Sequence, residues 1–298
     1  MTMLANRVAI VTGAGAGLGR SHALAVAKAG ARVVVNDMTD AADVVAAEIE
    51  RAGGEAIAVR CSVTDEAAVK HMVETAVDRW GRIDILVNNA GILRDRSFGK
   101  LSLEDFRSVL EVHVMGSVIC TQAAWHHMRA ANYGRIVLTT SSSGLYGNFG
   151  QANYSAAKMA LVGLMQTLAI EGRRHDIRVN CLAPSAATGM TDGLYDTDML
   201  NRLGSERVSP AVVALASENA PTRAILLAGA GSFSAAHVTM TPGIFVDHHN
   251  AAAEILARFA EVSAQDGQTV PEDGTEQHRT EVFRAMARLQ SDDAQFGT

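Results

Sequence analysis

The sequence predicts an α/β fold, a doubly wound parallel sheet forming one domain over residues 1–246, with a helical C-terminal extension over residues 247–298. Two observations predict it. Short β-branched runs alternate with amphipathic stretches along most of the 298 residues, and such alternation implies parallel strands joined by right-handed helical crossovers. The runs "RVAIVTG", "ARVVVND" and "DILVNNAG" are apolar with almost no interruption, as expected of strands covered by helices on both faces.

Taken in order, the first strand is expected over residues 8–11. It runs into Thr12-Gly13-Ala14-Gly15-Ala16-Gly17-Leu18-Gly19, which opens a helix over residues 18–29. Glycines between a strand and a helix let the backbone turn tightly and approach a pyrophosphate, whose charge the helix N-terminus favours. The spacing is T-G-x-x-x-G-x-G. It is not G-x-G-x-x-G, because Leu18 stands where that pattern needs its last glycine. A merely flexible turn would not need four glycines in seven residues. A second strand, residues 32–36, ends at Asp37, 18 residues past Gly19. A carboxylate there can accept from both ribose hydroxyls of an adenosine and repels a 2′-phosphate. No arginine follows closely, so NAD is expected over NADP; Thr39 or Asp40 could serve the other role open to Asp37, capping the next helix.

Further along, helices are expected over residues 41–52, 66–80, 103–128 and 155–173. Strands are expected over 56–60, 83–87, 134–139, 177–180 and 224–227. The tail reads as helical pieces over 251–262 and 276–289 around a loop with Gly267, Pro271 and Gly274. It is expected to be an appendage or a dimer arm, being too small for a separate catalytic domain.

The segment "GQANYSAAK" places Tyr154 four residues before Lys158, so both side chains share one helical face. A tyrosine with a pKa of about 10 is a poor base at neutral pH. A nearby ammonium and the positive nicotinamide of an oxidised cofactor favour the phenolate. The phenolate could then take the proton of a secondary alcohol while hydride leaves to the nicotinamide. Ser141, 13 residues upstream, could hold the substrate oxygen. Y-x-x-x-K alone is common at helix starts, so the expectation rests on the whole set.

That set comprises TGxxxGxG, Asn88-Asn89-Ala90-Gly91 after the fourth strand, the serine and YxxxK, in this order between about residues 5 and 246. It resembles the short-chain dehydrogenase/reductase family, whose fold is the Rossmann fold. The resemblance implies that Ser141 polarises the substrate oxygen, that Tyr154 is the acid/base, and that Lys158 also holds the nicotinamide ribose. It implies cofactor contacts from Gly13, Gly17, Leu18, Gly19, Asp37, Asn89, Ala90, Gly91, Pro184 and Thr188, with Asn88 and Asn89 securing the fourth strand. Three positions depart from the family pattern. His113 replaces an asparagine 41 residues before the tyrosine, Ser62 with Val63 stands where an aspartate meets the adenine, and Pro184-Ser185 replaces Pro-Gly. A histidine could bond the same proton-relay water through a ring nitrogen, or could simply be packed in its helix. The stretches "NNAGILRDRSF", "EVHVMGS" and "YGNFGQANYSAAK" look like the (3R)-hydroxyacyl-CoA dehydrogenase domains of multifunctional β-oxidation enzymes. Their relatives also accept 17β-hydroxysteroids. A stand-alone form of that domain is expected.

Composition narrows the classes. Hydrophobic residues make up 48% and charged residues 19%, with a net charge of −6 and dispersed Lys and Arg, so no nucleic-acid partner is expected. The apolar stretch over residues 159–170 is broken by Gly163, Gln166 and Thr167, too short and polar for a membrane span. Cys61, Cys120 and Cys181 lie far apart, and no third ligand accompanies His126-His127 or His248-His249. Neither a disulfide framework nor a metal is expected. No secretory signal is evident, which points to a cytoplasmic setting. The resemblance implies a homodimer or homotetramer through the helix carrying Met159 and Met165. The expected activity is NAD-dependent oxidation of the 3-hydroxyl of 3-hydroxyacyl-CoA thioesters. A 17β-hydroxysteroid dehydrogenase or a 3-oxoacyl-carrier-protein reductase is the alternative. A catalytically silent nucleotide sensor would not need Ser141, Tyr154 and Lys158 together.

Overall fold

The computed structural model describes residues 2–186 and 202–296, in two compact units, Met1–Ala236 and His237–Thr298. The first unit holds an eight-stranded sheet in the order β3-β2-β1-β4-β5-β6-β7-β8. Its strands are β1 (Val8–Val11), β2 (Arg32–Asp37), β3 (Ala56–Arg60), β4 (Ile85–Asn88), β5 (Gly134–Thr139), β6 (Ile177–Ser185), β7 (Ile225–Gly229) and β8 (Ser232–Ala236). All neighbours run parallel except β8, which is antiparallel to β7. The chain winds outward from β1 to β3, then returns to place β4 on the other side of β1. At such a reversal the loops past the strand ends diverge and leave a cleft.

Strand side chains alternate between two buried faces, which is why no polar face shows in the sequence. Ala9, Val11, Val33, Val35, Ile85 and Val87 pack against α1 (Gly17–Lys28), α2 (Ala41–Arg51) and α8 (Ser209–Ala216). Val8, Ile10, Val34, Leu86, Ile136 and Leu138 pack against α3 (Glu66–Trp80), α5 (Gly116–Ala131) and α7 (Ala152–Gly172). Local chemistry sets the helix ends. Asp65 accepts from Ala68 N to start α3, and Gly81, at φ 77°, ends it in a left-handed turn that disfavours a side chain.

The structure departs from the sequence expectation in several places. β8 was not expected, because its Ser-Phe-Ser-Ala-Ala is mostly exposed and carries no buried stripe. The expected helix over 103–128 is instead α4 (Leu103–Leu110), one π-helical turn (Glu111–Met115) and α5. Helices α6 (Ser142–Tyr146) and α8 were not expected either. Met165 is buried, but Met159 on the same helix is 42% exposed. Thr188 lies outside the described residues.

At the N-terminal ends of the strands, Asp84 accepts from Val8 N at 2.9 Å and pairs with Arg7 and Arg82 at 3.2 and 2.6 Å. Arg135, fully buried, donates to the carbonyls of Gly134, Asp176, Ser217 and Glu218 and to the Asp176 carboxylate at 3.0 Å. The Tyr133 ring lies between the guanidiniums of Arg7 and Arg135, 3.5 and 4.1 Å from its centroid.

In the second unit, Met240 and Thr269 form an isolated antiparallel bridge. Its helices are α9 (Ala251–Ala257), α10 (Phe259–Val262) and α11 (Gly274–Phe296). The single helix expected over 251–262 is broken at Arg258, which pairs with Glu254 and Glu261 at 2.8 Å. Among the described residues, no helix is long and apolar enough to cross a membrane.

Candidate active site

The loops after β1 and β4 are tied to each other. Thr12 Oγ1 accepts from Asn89 N and Ala90 N at 3.0 and 3.1 Å, and Asn89 Nδ2 donates to Thr12 O at 3.0 Å. Asn88 Nδ2 donates to Thr121 on α5, fixing the end of β4 from behind. Gly13 sits at φ 62°, where a Cβ would fall 2.8 Å from Ala90 Cα. The first turn of α1 therefore opens onto a cleft of about 350 Å³, which runs from Gly17, Leu18 and Asp37 to Tyr154, Lys158 and Pro184. Asp37 accepts from Gly15 N at 3.0 Å with one oxygen and from Thr39 N and Oγ1 with the other. An ionised carboxylate has about four acceptor positions, so it can still receive a ligand hydroxyl. Ser62 and Val63 do not line this cleft. The Ser62 hydroxyl lies 2.8 Å from Thr64 Oγ1, and Val63 is buried against Gly116, where a Cβ would meet it at 2.6 Å.

At the far end of the cleft, Ser141 caps α6, its Oγ accepting from Ser143 N at 3.2 Å, and its hydroxyl lies near the Tyr154 phenol. Tyr154 and Lys158 project from one face of α7, with Lys158 Nζ 5.4 Å from the Tyr154 ring centroid. Lys158 is buried, and its Nζ donates to Thr139 O at 2.6 Å. Burial pulls its pKa down to about 7. Burial also raises the Tyr154 pKa, with the Asp95 charge adding to the rise and the Ser141 hydroxyl opposing it. The sequence suggested the opposite direction for Tyr154. In the chain alone, without the positive nicotinamide on which that expectation drew, desolvation of the phenolate dominates.

This predicts a stability effect. The lowered Lys158 pKa makes the unfolded chain bind more protons than the folded one between about pH 7 and 10.5. Its burial therefore costs most at or below pH 7, and the cost is relieved as pH rises. Lys158→Met should melt above wild type at pH 7, and the gap should close towards pH 10. A gap independent of pH would refute this.

His113 sits in the π-helical turn, the kind of irregularity that recurs at functional sites. Its Nε2 lies 2.8 Å from Ile92 O and 3.1 Å from Ile92 N, while its buried Nδ1 has no partner among the described residues. The shorter contact assigns the proton to Nε2 and leaves Nδ1 an acceptor. Burial, with help from Lys158, pulls its pKa down to about 3, so the ring is neutral at ordinary pH. It meets Tyr154 edge-on, centroids 5.3 Å apart at 84°. Gly91 makes room for it: a Cβ there would lie 2.1 Å from His113 Cε1.

Three contributors were not singled out from sequence: Thr139, whose carbonyl anchors Lys158, and the amides Gln151 and Asn153 at the start of α7. The only signal for the amides was polarity inside an otherwise apolar helix start. Among the described residues, no three His, Cys, Asp or Glu gather as a metal site.

The short chain dehydrogenase family profile matches residues 7–203. Peroxisomal multifunctional enzyme type 2 of Drosophila melanogaster is 52% identical over 223 residues, 72% of this chain but only 37% of that protein. A short-chain type dehydrogenase/reductase of Mycobacterium tuberculosis is 43% identical over 273 residues, 88% of this chain and 96% of that one. Among solved structures, the full-length Drosophila multifunctional enzyme superimposes with a TM-score of 0.81 at 37% identity, covering 96% of this chain and 50% of that chain. A 7α-hydroxysteroid dehydrogenase complexed with NADH and 7-oxo glycochenodeoxycholic acid superimposes with a TM-score of 0.72 at 31% identity, covering 78% and 96%. On the strength of its cleft, its sheet order and these matches, the chain belongs to the short-chain dehydrogenase/reductase family of oxidoreductases.

Proposed function

We propose that the protein is an NAD-dependent dehydrogenase that oxidises the 3-hydroxyl of 3-hydroxyacyl-CoA thioesters. The observation that carries the catalytic part is the Tyr154 phenol beside the Ser141 hydroxyl, with Lys158 buried on the same face of α7 at the end of a glycine-floored cleft. The residues present fit a nicotinamide dinucleotide. The N-terminus of α1 suits a pyrophosphate, Asp37 suits an adenosine ribose, and Thr139 Oγ1 is a buried polar atom without a partner at the catalytic end. When bound, the nicotinamide accepts the hydride. The Tyr154 oxygen takes the proton of the substrate hydroxyl, and Ser141 holds that oxygen in place. Lys158, near its titration midpoint, stabilises the phenolate when protonated. His113 Nδ1 accepts a hydrogen bond from a water that passes the proton onward.

The thioester is supported by the resemblance to multifunctional enzymes. A hydroxysteroid is the second reading, favoured by the likeness to the 7α-hydroxysteroid dehydrogenase. NADH formation with NAD, or NADPH formation with NADP, offered a 3-hydroxyacyl-CoA or a 17β-hydroxysteroid, tests both. Faster turnover of the steroid would replace the first reading with the second. The Asp37 carboxylate would face a 2′-phosphate, and like charges so placed cost several kcal/mol. Asp37→Ser should therefore raise kcat/KM for NADP relative to NAD by about 10- to 100-fold; an unchanged ratio would remove Asp37 from cofactor choice. We also infer a homodimer or homotetramer through α7, whose Met159 and Ile170 are exposed.

A further inference from the structure

The loop after β4 and the turn that opens α7 are joined residue by residue. Arg96 N donates to Gly150 O at 2.9 Å, Asn153 Nδ2 donates to Arg94 O at 2.9 Å, and Gln151 Nε2 donates to Asp95 Oδ2 at 2.7 Å. The other end of the Gln151 amide faces α6. Its Oε1 accepts from Ser143 Oγ at 2.8 Å and from Asn148 Nδ2 at 3.1 Å. The same loop carries Ile92, which holds His113. From position 151, three residues before Tyr154, one amide therefore touches both the loop that supports His113 and the segment that carries Ser141.

We propose that Gln151 is a positioning residue. Held by Asp95, it fixes Ser143 and thereby sets the Ser141 hydroxyl against the Tyr154 phenol. α6 has only five residues, and a helix that short has little order of its own. Besides the backbone bonds from Gly144 N and Leu145 N to Ser141 O, its first turn is held by two side-chain contacts, Ser143 N to Ser141 Oγ and Ser143 Oγ to Gln151 Oε1. The polarity of the bridge is determined at both ends. An ionised carboxylate only accepts, so the amide must turn its nitrogen to Asp95 and its oxygen to the Ser143 hydroxyl. Glutamate cannot replace it, since it would set two carboxylates in contact. Asparagine at 95 with glutamate at 151 rebuilds the bridge with donor and acceptor exchanged. Asp95 has a second influence, because its charge raises the Tyr154 pKa; the other titratable groups facing that phenol are Lys158 and His113.

The inference rests on the dehydrogenase reading, so its test has two readouts. In NADH formation, with whichever alcohol the wild type oxidises, Gln151→Ala and Gln151→Glu should each lose about 10- to 100-fold in kcat, the scale of a misplaced catalytic group. KM for NAD should stay within about twofold of wild type. Asp95→Asn combined with Gln151→Glu should recover most of the loss. Full activity in Gln151→Glu, or no recovery in the double variant at an unchanged melting temperature, would overturn the proposal. Ultraviolet titration of the Tyr154 phenol, read as the difference from Tyr154→Phe, needs no turnover. Gln151→Ala, which adds no charge, should move that titration upward as the Ser141 hydroxyl leaves the phenol. A silent wild type would sink the activity assignment alone, and an undisplaced titration would sink this inference alone.

Discussion

Tyr154→Phe should lose turnover by about a thousandfold, within the range that a positioned proton acceptor contributes, and should still bind NADH. The substitution removes one oxygen and leaves the ring, so the edge contact with His113 and the packing of α7 survive. No other group described at the catalytic end can replace the phenol. The Ser141 hydroxyl lies beside it without a base of its own, and His113 is held by Ile92 through Nε2 with a pKa near 3. Steady-state NADH formation and a fluorescence titration with NADH measure the two halves separately. Turnover within tenfold of wild type would end the assignment of Tyr154 as the acid/base. Loss of NADH binding would show that the phenol also holds the cofactor.

Arg135→Ala should lower the melting temperature by about 10 °C and leave kcat close to wild type. The side chain is fully buried and ties four carbonyls and one carboxylate, at the starts of β5 and β6 and in the turn just past α8. Removing one partner of a buried charged network costs about 3–5 kcal/mol. In a unit of this size, each kcal/mol shifts the melting temperature by roughly 2–4 °C. The loss falls at the N-terminal ends of the strands, whereas the cleft lies past their C-terminal ends, which is why kinetics should be spared. Differential scanning calorimetry beside the NADH assay decides it. A fall under about 3 °C would mean that water replaces the guanidinium at little cost.

Legibility differed from element to element for physical reasons. The central strands were readable because burial on both faces leaves an uninterrupted apolar run, as in Val33-Val34-Val35. The glycine loop and the Tyr154–Lys158 spacing were readable because geometry dictates residue type there. β8 was not readable, since its exposure imposes no pattern. The π-helical turn was invisible because Glu111–Met115 keeps ordinary helix-forming composition, and the insertion shows only in how His113 meets Gly91 and Ile92. Thr139 escaped notice because its anchoring group is a main-chain carbonyl, which every residue possesses. Gln151 escaped notice because its partners, Asp95 and Ser143, are far from it along the chain or on a helix not expected.

The π-helical turn also sets an angular phase. Each residue of a regular helix advances about 100° around its axis; the wider π turn takes in one surplus residue, so the apolar positions of α5 fall one place later in the sequence than a regular continuation of α4 would put them. α4 can thus turn its stripe to α7 while α5, continuing the same rod, turns Cys120, Ala124 and Met128 to the sheet. Removing one residue from Glu111–Met115 would let α4 and α5 join as a regular helix with the α5 stripe still facing β4 and β5, and the harm would be local, falling on how His113 meets Gly91 and Ile92.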